Sequence, residues 1–400
     1  MIPFAQRYLS KLPFFTRTIS SAPSADLFLT IVIPAHNEPD LLLCLESLSK
    51  CQKTNSQVEV IVVINESEGT SEEVKMQNLQ SLQELHDWKL AHQQAPFTLH
   101  TMHPAPFRHK FRGVGSARKA GMDEAIARYN IINKPHGVIV SLDADTFVET
   151  NYLIEIERFF KSHENIIGCT IDFQHRTNEL SNPKQQEGMR IYEKYLHYFK
   201  EALAFSGYPH AMHTIGSAFA FRADAYVKQG GMPRRQAGED FYFLHKLTNM
   251  GNIAELHSTC VYPSARISNR VPFGTGPSIQ KWIDGDRSIG MSYSLNAFCD
   301  LKTFFASLPM LHTSKQTVEL PLHLANFLEE EAFWTSILPE LQQNSSNYKN
   351  FEKRFFQYFN AFKIIKFLNS THPHSYPLGE VDELHENLMK LLKIEVLQSS

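Results

Sequence analysis

The stretch VIVSLDADTFVETNYL, residues 138–153, is the most informative part of the sequence. An apolar run typical of a buried strand ends in Asp143 and Asp145, with one residue between them. Residues two apart on a strand point to the same side, so both carboxylates are expected at one edge of a sheet. Such a pair repels itself unless a hard divalent cation, Mg²⁺ or Mn²⁺, lies between the carboxylates. The alternative is that one aspartate caps the next helix and the other is solvated.

Apolar strands alternate with segments of helical periodicity on both sides of this stretch. LFLTIVIPA (27–35) and VEVIVVI (58–64) are predicted strands, and the segment after Pro39, with Asp40 as its cap, is a predicted helix. This alternation predicts an α/β fold with a doubly wound, mostly parallel sheet and flanking helices. Ligands of such folds bind at the carboxyl ends of the strands. Beyond about Asp300, the sequence predicts a C-terminal helical appendage.

Composition excludes several classes of protein. The chain has 400 residues, of which 42% are hydrophobic, and a formal net charge of -3, which gives no general attraction to nucleic acid. Its five cysteines are scattered without a CxxC pair, so neither a disulfide framework nor a zinc site is expected. The longest apolar runs are shorter than the ~20 residues that a membrane-spanning helix needs. A cytoplasmic protein is therefore expected.

The first 26 residues form a basic and apolar leader in this interpretation, with Arg7, Lys11 and Arg17 and no acid before Asp26. The segment is expected either to be frayed, to lie on an anionic membrane surface, or to act in targeting. Peripheral contact with the inner membrane face follows from the second option. Residues 27–290 are expected to form the main domain, divided near residue 150, and residues 291–400 a mainly helical region.

Four stretches together resemble a known family over residues 27–275. They are TIVIPAHNE (30–38), VIVVINESEG (60–69), SLDAD (141–145) and AGEDFYF (237–243). In this order they resemble the family 2 glycosyltransferases of the GT-A fold. The resemblance implies transfer of a sugar from a nucleotide diphosphate donor to an acceptor hydroxyl with inversion, in cell-surface glycan or glycolipid biosynthesis.

The resemblance also implies roles for individual residues. Asp145 would bind the Mg²⁺ or Mn²⁺ directly, and Asp143 would contact the metal or the donor ribose. Asp240 would be the general base, and Glu239 would contact the acceptor or position the site. The alternative for both is a charged first turn of a helix. The donor-binding set comprises Pro34, Ala35, His36, Asn37, Glu38, Asn65, Arg118, Asp143, Ala144, Asp145 and Arg270.

Two basic segments are further candidates for the donor diphosphate. HPAPFRHKFRGVGSARKAG (103–121) places arginines and lysines before a predicted helix, whose amino-terminal N–H groups suit a diphosphate. The alternative is a solvated basic loop. Arg266 and Arg270 precede Gly274-Thr275-Gly276, which is predicted to fold over the donor as a lid. A histidine ligand to the metal is not expected.

An aromatic helix is the candidate for the acceptor. Tyr192, Tyr195 and Tyr198 lie at helical spacing, and at least one is predicted to line the acceptor side of the cleft near Asp240. The alternative is that the rings pack on the sheet. The expected acceptor is a glycan, a lipid-linked sugar or a small molecule.

Two other functions stay open from the sequence alone. A sugar-phosphate nucleotidyltransferase shares this type of sheet, but usually has a glycine-rich, lysine-bearing loop after the first strand, where this chain has PAHNEPD (34–40). A non-catalytic nucleotide-sugar-binding module of the same fold is the other alternative. Asp143, Asp145 and Asp240 favour an enzyme over such a module.

Overall fold

The computed structural model describes residues 2–12, 16–267, 274–313 and 318–399. Contacts within the chain group into two compact units. The first comprises Met1–Glu179 with Thr214–Pro277, and the second comprises Leu180–His213 with Ser278–Ser400. By its contacts, the segment Leu180–His213 therefore belongs with the C-terminal region. The boundaries suggested from the sequence remain predictions.

The first unit is built on one large sheet. Its strands are β1 Leu27–Ala35, β2 Gln57–Ile64, β3 Thr98–Met102, β4 Val138–Ser141, β5 Phe147–Val148, β6 Ile166–Phe173, β7 Phe219–Arg222 and β8 Asn252–Tyr262. Within the described residues they lie in the order β3-β2-β1-β4-β7-β6-β8-β5. Parallel pairing joins β3, β2, β1 and β4 and also joins β6 to β8, whereas β7 and β5 run antiparallel to their neighbours.

Helices flank the sheet and continue to the end of the chain. They are α1 Gln6–Leu9, α2 Leu41–Ser49, α3 Glu72–Ala91, α4 Val114–Ile131, α5 Tyr152–Ser162, α6 Pro183–Phe205, α7 Ala223–Gln229, α8 Glu239–Leu247, α9 Thr275–Ile283, α10 Leu295–Ala306, α11 Leu308–Thr313, α12 Leu322–Glu330, α13 Leu338–Gln343, α14 Tyr348–Tyr358, α15 Ala361–Thr371 and α16 Val381–Ser399. The predicted α/β class, the mostly parallel sheet and the C-terminal helices are confirmed.

Strand order identifies the edge of the sheet where a ligand is expected. β1 and β2 are almost entirely buried, as strands covered by helices on both faces must be. Chain order reverses between β1 and β4, because β2 and β3 lie on one side of β1 and β4 lies on the other. Ligands of open α/β sheets bind at such a reversal, outside the carboxyl ends of the strands. The turns after β1, β2 and β4 meet there.

The N-terminal segment packs against α4 and is not frayed in the described residues. The hydroxyl of Tyr8 donates a 2.6 Å hydrogen bond to Asp123, and the backbone N–H of Ala5 donates to the side chain of Asn130. The carboxylate of Glu124 accepts bonds from the backbone N–H groups of Thr18 and Ile19. These bonds join the segment to α4.

The second unit has an aromatic core of its own. Four phenylalanine rings are fully buried there and contact one another, with distances of 5.4–6.2 Å between the centroids of contacting rings: Phe304, Phe333, Phe355 and Phe359. β9 Met291–Ser292 and β10 Gly379–Glu380 add a short antiparallel pair. Among the described residues, no helix is both long enough and apolar enough to span a bilayer.

Candidate active site

The turns after β1 and β2 are held together by short polar contacts. Nδ1 of His36 lies 2.8 Å from the carbonyl oxygen of Asn65, and the same carbonyl accepts a bond from the Asn78 amide. Asn78 also accepts a bond from the backbone N–H of Asn37, whose φ is +50°. Asn78 is buried on α3, and its side chain links the turn after β1 to the turn after β2. The side-chain amide of Asn78 also donates to the carboxylate of Glu66 at 3.3 Å. The acidic residue in the turn after β2 is therefore Glu66, which directly follows Asn65, the predicted donor-binding residue.

Pro34, Ala35 and Ala144 contribute backbone and shape to the site and no ionisable group. Pro34 and Ala35 are the buried last residues of β1, and Ala144 is buried between the two aspartates. Arg270 lies outside the described residues.

Asp143 and Asp145 lie in a turn that follows β4. The strand ends at Ser141, and the turn is closed by a bond from the N–H of Thr146 to the carbonyl of Asp143. Strand alternation, on which the sequence argument relied, therefore does not extend to these residues. Each aspartate contacts a different arginine, Asp143 with Arg118 and Asp145 with Arg266.

Arg118 joins the carboxyl edge of β4 to the start of α8. Its guanidinium donates to Glu239 at 2.8 Å, to Asp143 at 2.8 Å and to the hydroxyl of Ser141 at 3.0 Å. Arg118 is 3% exposed and Glu239 is 2% exposed, so the charge-assisted bond between them is shielded from water. The predicted donor-binding arginine thus contacts protein carboxylates and links Asp143 to Glu239.

The pKa of Asp240, at the start of α8, is raised from its ordinary value. Burial, together with the neighbouring negative charge of Glu239, raises the pKa of Asp240 to about 7. The charge of Arg118 and a 2.7 Å bond from the backbone N–H of Phe241 act in the opposite direction. A carboxyl group with a pKa near neutrality can exchange a proton at physiological pH, as a general base must.

A second arginine contacts the other acids. Arg266, which follows β8, donates to Glu38 at 2.5 Å and to Asp40 at 2.8 Å, and lies 3.4 Å from Asp145. Asp40 occupies the predicted N-cap position of α2, but its side chain makes no capping bond. Instead it forms the ion pair with Arg266.

Gly216 is a glycine because a side chain there would collide with Arg118. A Cβ atom at residue 216 would overlap Nη2 of Arg118 and lie 3.4 Å from Oδ2 of Asp240. The close approach of the backbone to Arg118 leaves no room for a side chain at residue 216.

We expect Gly216→Ala to displace the Arg118 guanidinium and to reduce the turnover number by about 10²-fold, the effect of a misplacement of roughly 1 Å. Gly290→Ala is the matched control, because its Cβ would meet its nearest neighbour at an ordinary 3.4 Å. Steady-state turnover of the two variants tests this. Full activity in Gly216→Ala would show that the position of Arg118 does not matter.

The predicted acceptor residues lie on α6, in the second unit. Tyr198 is fully buried, and its hydroxyl donates to the carbonyl of Tyr293 at 2.7 Å. Tyr192 and Tyr195 stack at 6.5 Å between ring centroids and remain partly exposed. Of the three, these two retain surface that a ligand can contact.

Sequence reasoning missed Asn78, Ser141 and Gly216, and it left the partners of Arg266 unassigned. Asn78 carries no signal of its own in the sequence, and Ser141 begins the SLDAD motif without any sign of its bond to Arg118. Gly216 lies in the small-residue segment GSA (216–218), which by itself predicts no contact with Arg118. Among the described residues, no group of three or more His, Cys, Asp and Glu side chains has a metal-binding arrangement.

Comparison with known families gives the class of the protein. The sequence model of glycosyl transferase family 2 matches residues 30–230, half of the chain, and the chain belongs to this family. It is a glycosyltransferase with a GT-A fold. The matched region contains the turns after β1, β2 and β4 and Arg118. No curated protein sequence matches the chain significantly.

Solved structures show more distant similarity. TarS 1–349 of S. aureus in complex with UDP-GlcNAc is 14% identical, with a TM-score of 0.43, covering 86% of this chain and 90% of that one. The mannosyltransferase PcManGT from Pyrobaculum calidifontis, in complex with GDP-Man and Mn²⁺, is 13% identical with a TM-score of 0.37, covering 92% of this chain and 84% of that one. At these values neither structure carries an inference about the donor, the cation or the acceptor of this chain.

Proposed function

We propose that the protein transfers a sugar from a nucleotide diphosphate donor to an acceptor hydroxyl, with inversion, using Asp240 as the general base. The observation that carries the proposal is the buried Arg118. Its guanidinium bonds both to Asp143, which lies in the turn after β4, and to Glu239, which adjoins the proposed base. Arg118 therefore joins the turn that carries Asp143 and Asp145 to the start of α8, which carries Glu239 and Asp240.

The chemistry needs one proton transfer and one displacement. The acceptor oxygen attacks the anomeric carbon as the bond from that carbon to the diphosphate oxygen breaks, with the bonding electrons leaving on the diphosphate. Asp240 accepts the hydroxyl proton, and its raised pKa matches it to this task. A single attack from the face opposite the leaving group inverts the anomeric carbon.

The carboxylates present fit a Mg²⁺ or Mn²⁺ ion. Such ions are commonly held by one or two carboxylates and completed by substrate phosphates, so a full protein cage is not required. Asp143 and Asp145 are both partly exposed at the carboxyl edge of the sheet, and would hold the cation. When bound, it would act as a Lewis acid for the diphosphate leaving group.

The donor and acceptor assignments extend the proposal. His36, Asn37 and Asn65, in the turns fixed by Asn78, would bind the nucleoside, while Glu38 would act through its ion pair. Tyr192 and Tyr195 would offer ring faces to an acceptor sugar. The acceptor class that the family resemblance supports is a cell-surface glycan, a glycolipid or a small molecule.

Removing the cation should abolish turnover. We expect excess EDTA, or Asp145→Asn, to eliminate release of nucleoside diphosphate from the donor, because the leaving group loses its stabilising charge. Asp172→Asn, an exposed aspartate paired with His257, is the matched control. Full activity in EDTA would remove the metal from the mechanism and leave charge stabilisation to the arginines.

The rate should depend on pH through Asp240. Since the base must be ionised, and the folded protein raises its pKa to about 7, kcat/KM should fall as the pH drops through neutrality. An unperturbed carboxyl group would hold the rate constant down to about pH 4. The measurement is kcat/KM for the donor between pH 5 and 9. A flat profile down to the lower limit would mean that Asp240 is not the titrating base.

A further inference from the structure

Arg266 lies among three carboxylates on the predicted donor side of the site. Its guanidinium contacts Glu38, Asp40 and Asp145, which come from two separate turns. Glu38 is 2% exposed, and a buried carboxylate is costly without a cationic partner. The arginine therefore forms ion pairs with these acids in the protein without a ligand.

A divalent cation on Asp145 and this guanidinium need the same negative charge. Arg266 lies 3.4 Å from Oδ2 of Asp145, and two cations that share one carboxylate repel each other strongly at short distance. Binding of the cation must therefore work against Arg266. A nucleotide diphosphate would supply the guanidinium with other anionic partners, to which arginine forks bind well.

We propose that Arg266 is a counter-ion that competes with the divalent cation for Asp145. It thereby suppresses binding of the cation when no donor is bound. This rests on the proposed function. Metal then binds tightly only together with a diphosphate, which offers the displaced guanidinium a new partner. The arrangement would keep the cation from assembling a reactive site before the donor arrives.

The test is binding of MnCl₂ alone to the full chain, by calorimetry or by electron paramagnetic resonance of free Mn²⁺. Arg266→Gln should bind Mn²⁺ about 10- to 100-fold more tightly than the wild type, the range over which residues surrounding metal ligands alter affinity. Arg266→Lys, which keeps the charge, should fall between them. Arg176→Gln, which removes an arginine stacked on Phe147 and Tyr262, should bind Mn²⁺ like the wild type.

A thermal measurement gives a second readout. Arg266→Gln removes an ion pair from the buried Glu38, so its melting temperature should be lower than that of the wild type and should rise more steeply with added MnCl₂. Equal Mn²⁺ affinity in wild type and Arg266→Gln would overturn the inference, while EDTA-sensitive turnover would show that the proposed use of a cation stands. If neither protein binds Mn²⁺ and EDTA leaves turnover unchanged, both the inference and the metal dependence are wrong.

Discussion

Asp240→Asn should reduce the rate of sugar transfer by about 10²- to 10⁴-fold, the usual contribution of a general base. Asparagine keeps the size of the side chain and can still accept the bond from the N–H of Phe241, but it cannot take a proton from the acceptor. Donor binding should survive, because Asp240 is assigned to the acceptor's proton alone. In this variant the rate of sugar transfer should therefore fall, while the donor affinity measured by calorimetry stays unchanged.

Asp224→Asn is the matched control for this change. Asp224 is the second residue of α7, as Asp240 is the second residue of α8, and it pairs with Lys228 at 2.7 Å. Substitution there tests the loss of one carboxylate in the first turn of a helix and should leave transfer unchanged. Loss of donor binding in Asp240→Asn would make Asp240 a donor or metal contact and would refute its assignment as the base.

Arg118→Lys should reduce the turnover number by about 10²-fold, because a single ammonium group cannot hold the fork of bonds that a guanidinium makes. Lysine keeps the positive charge, yet it has to give up some of the bonds to Asp143, Glu239 and Ser141. The donor-side turn and the start of α8 would then no longer be tied. We expect the unfolding free energy to fall as well, by roughly 1–3 kcal/mol, the cost of leaving a buried polar group unsatisfied.

Arg128→Lys separates catalysis from stability. Arg128 lies on the same helix, is fully buried, and forms a bidentate pair with Glu59 at 2.5 and 2.6 Å. Its replacement should destabilise the fold to a similar degree, while the activity per folded molecule stays at the wild-type value. Denaturant unfolding and kcat measured on both variants make the comparison. Equal losses of kcat would reduce Arg118 to a structural residue.

The sheet could be predicted because its signals are local. Runs of β-branched residues such as 58–64 predict buried strands, and the four motif stretches come in the order that the family requires. The turns after these strands then follow from the rule that parallel strands end at one edge. The family match at residues 30–230 confirmed the interpretation that these motifs suggested.

The ion pairs could not be predicted because they join distant parts of the chain. Arg118 meets Glu239 across 121 positions, and Arg266 meets Glu38 across 228. Asp40 is one example: its position before α2 predicted a helix cap, but its carboxylate pairs with Arg266 and makes no capping bond. The N-terminal segment is similar, since its basic and apolar composition suggested a leader, and the bond from Tyr8 to Asp123 holds it on α4.

The central claim is that the chain transfers a sugar and releases a nucleoside diphosphate. The most direct measurement incubates the protein and MnCl₂ with a panel of nucleotide sugars and a mixed set of glycan and glycolipid acceptors, and identifies the phosphorylated product. The account predicts a nucleoside diphosphate from at least one donor, with the sugar on an acceptor or on water, and loss of this product in Asp240→Asn. Pyrophosphate or sugar phosphate as the product, or binding of a donor without any turnover, would contradict it.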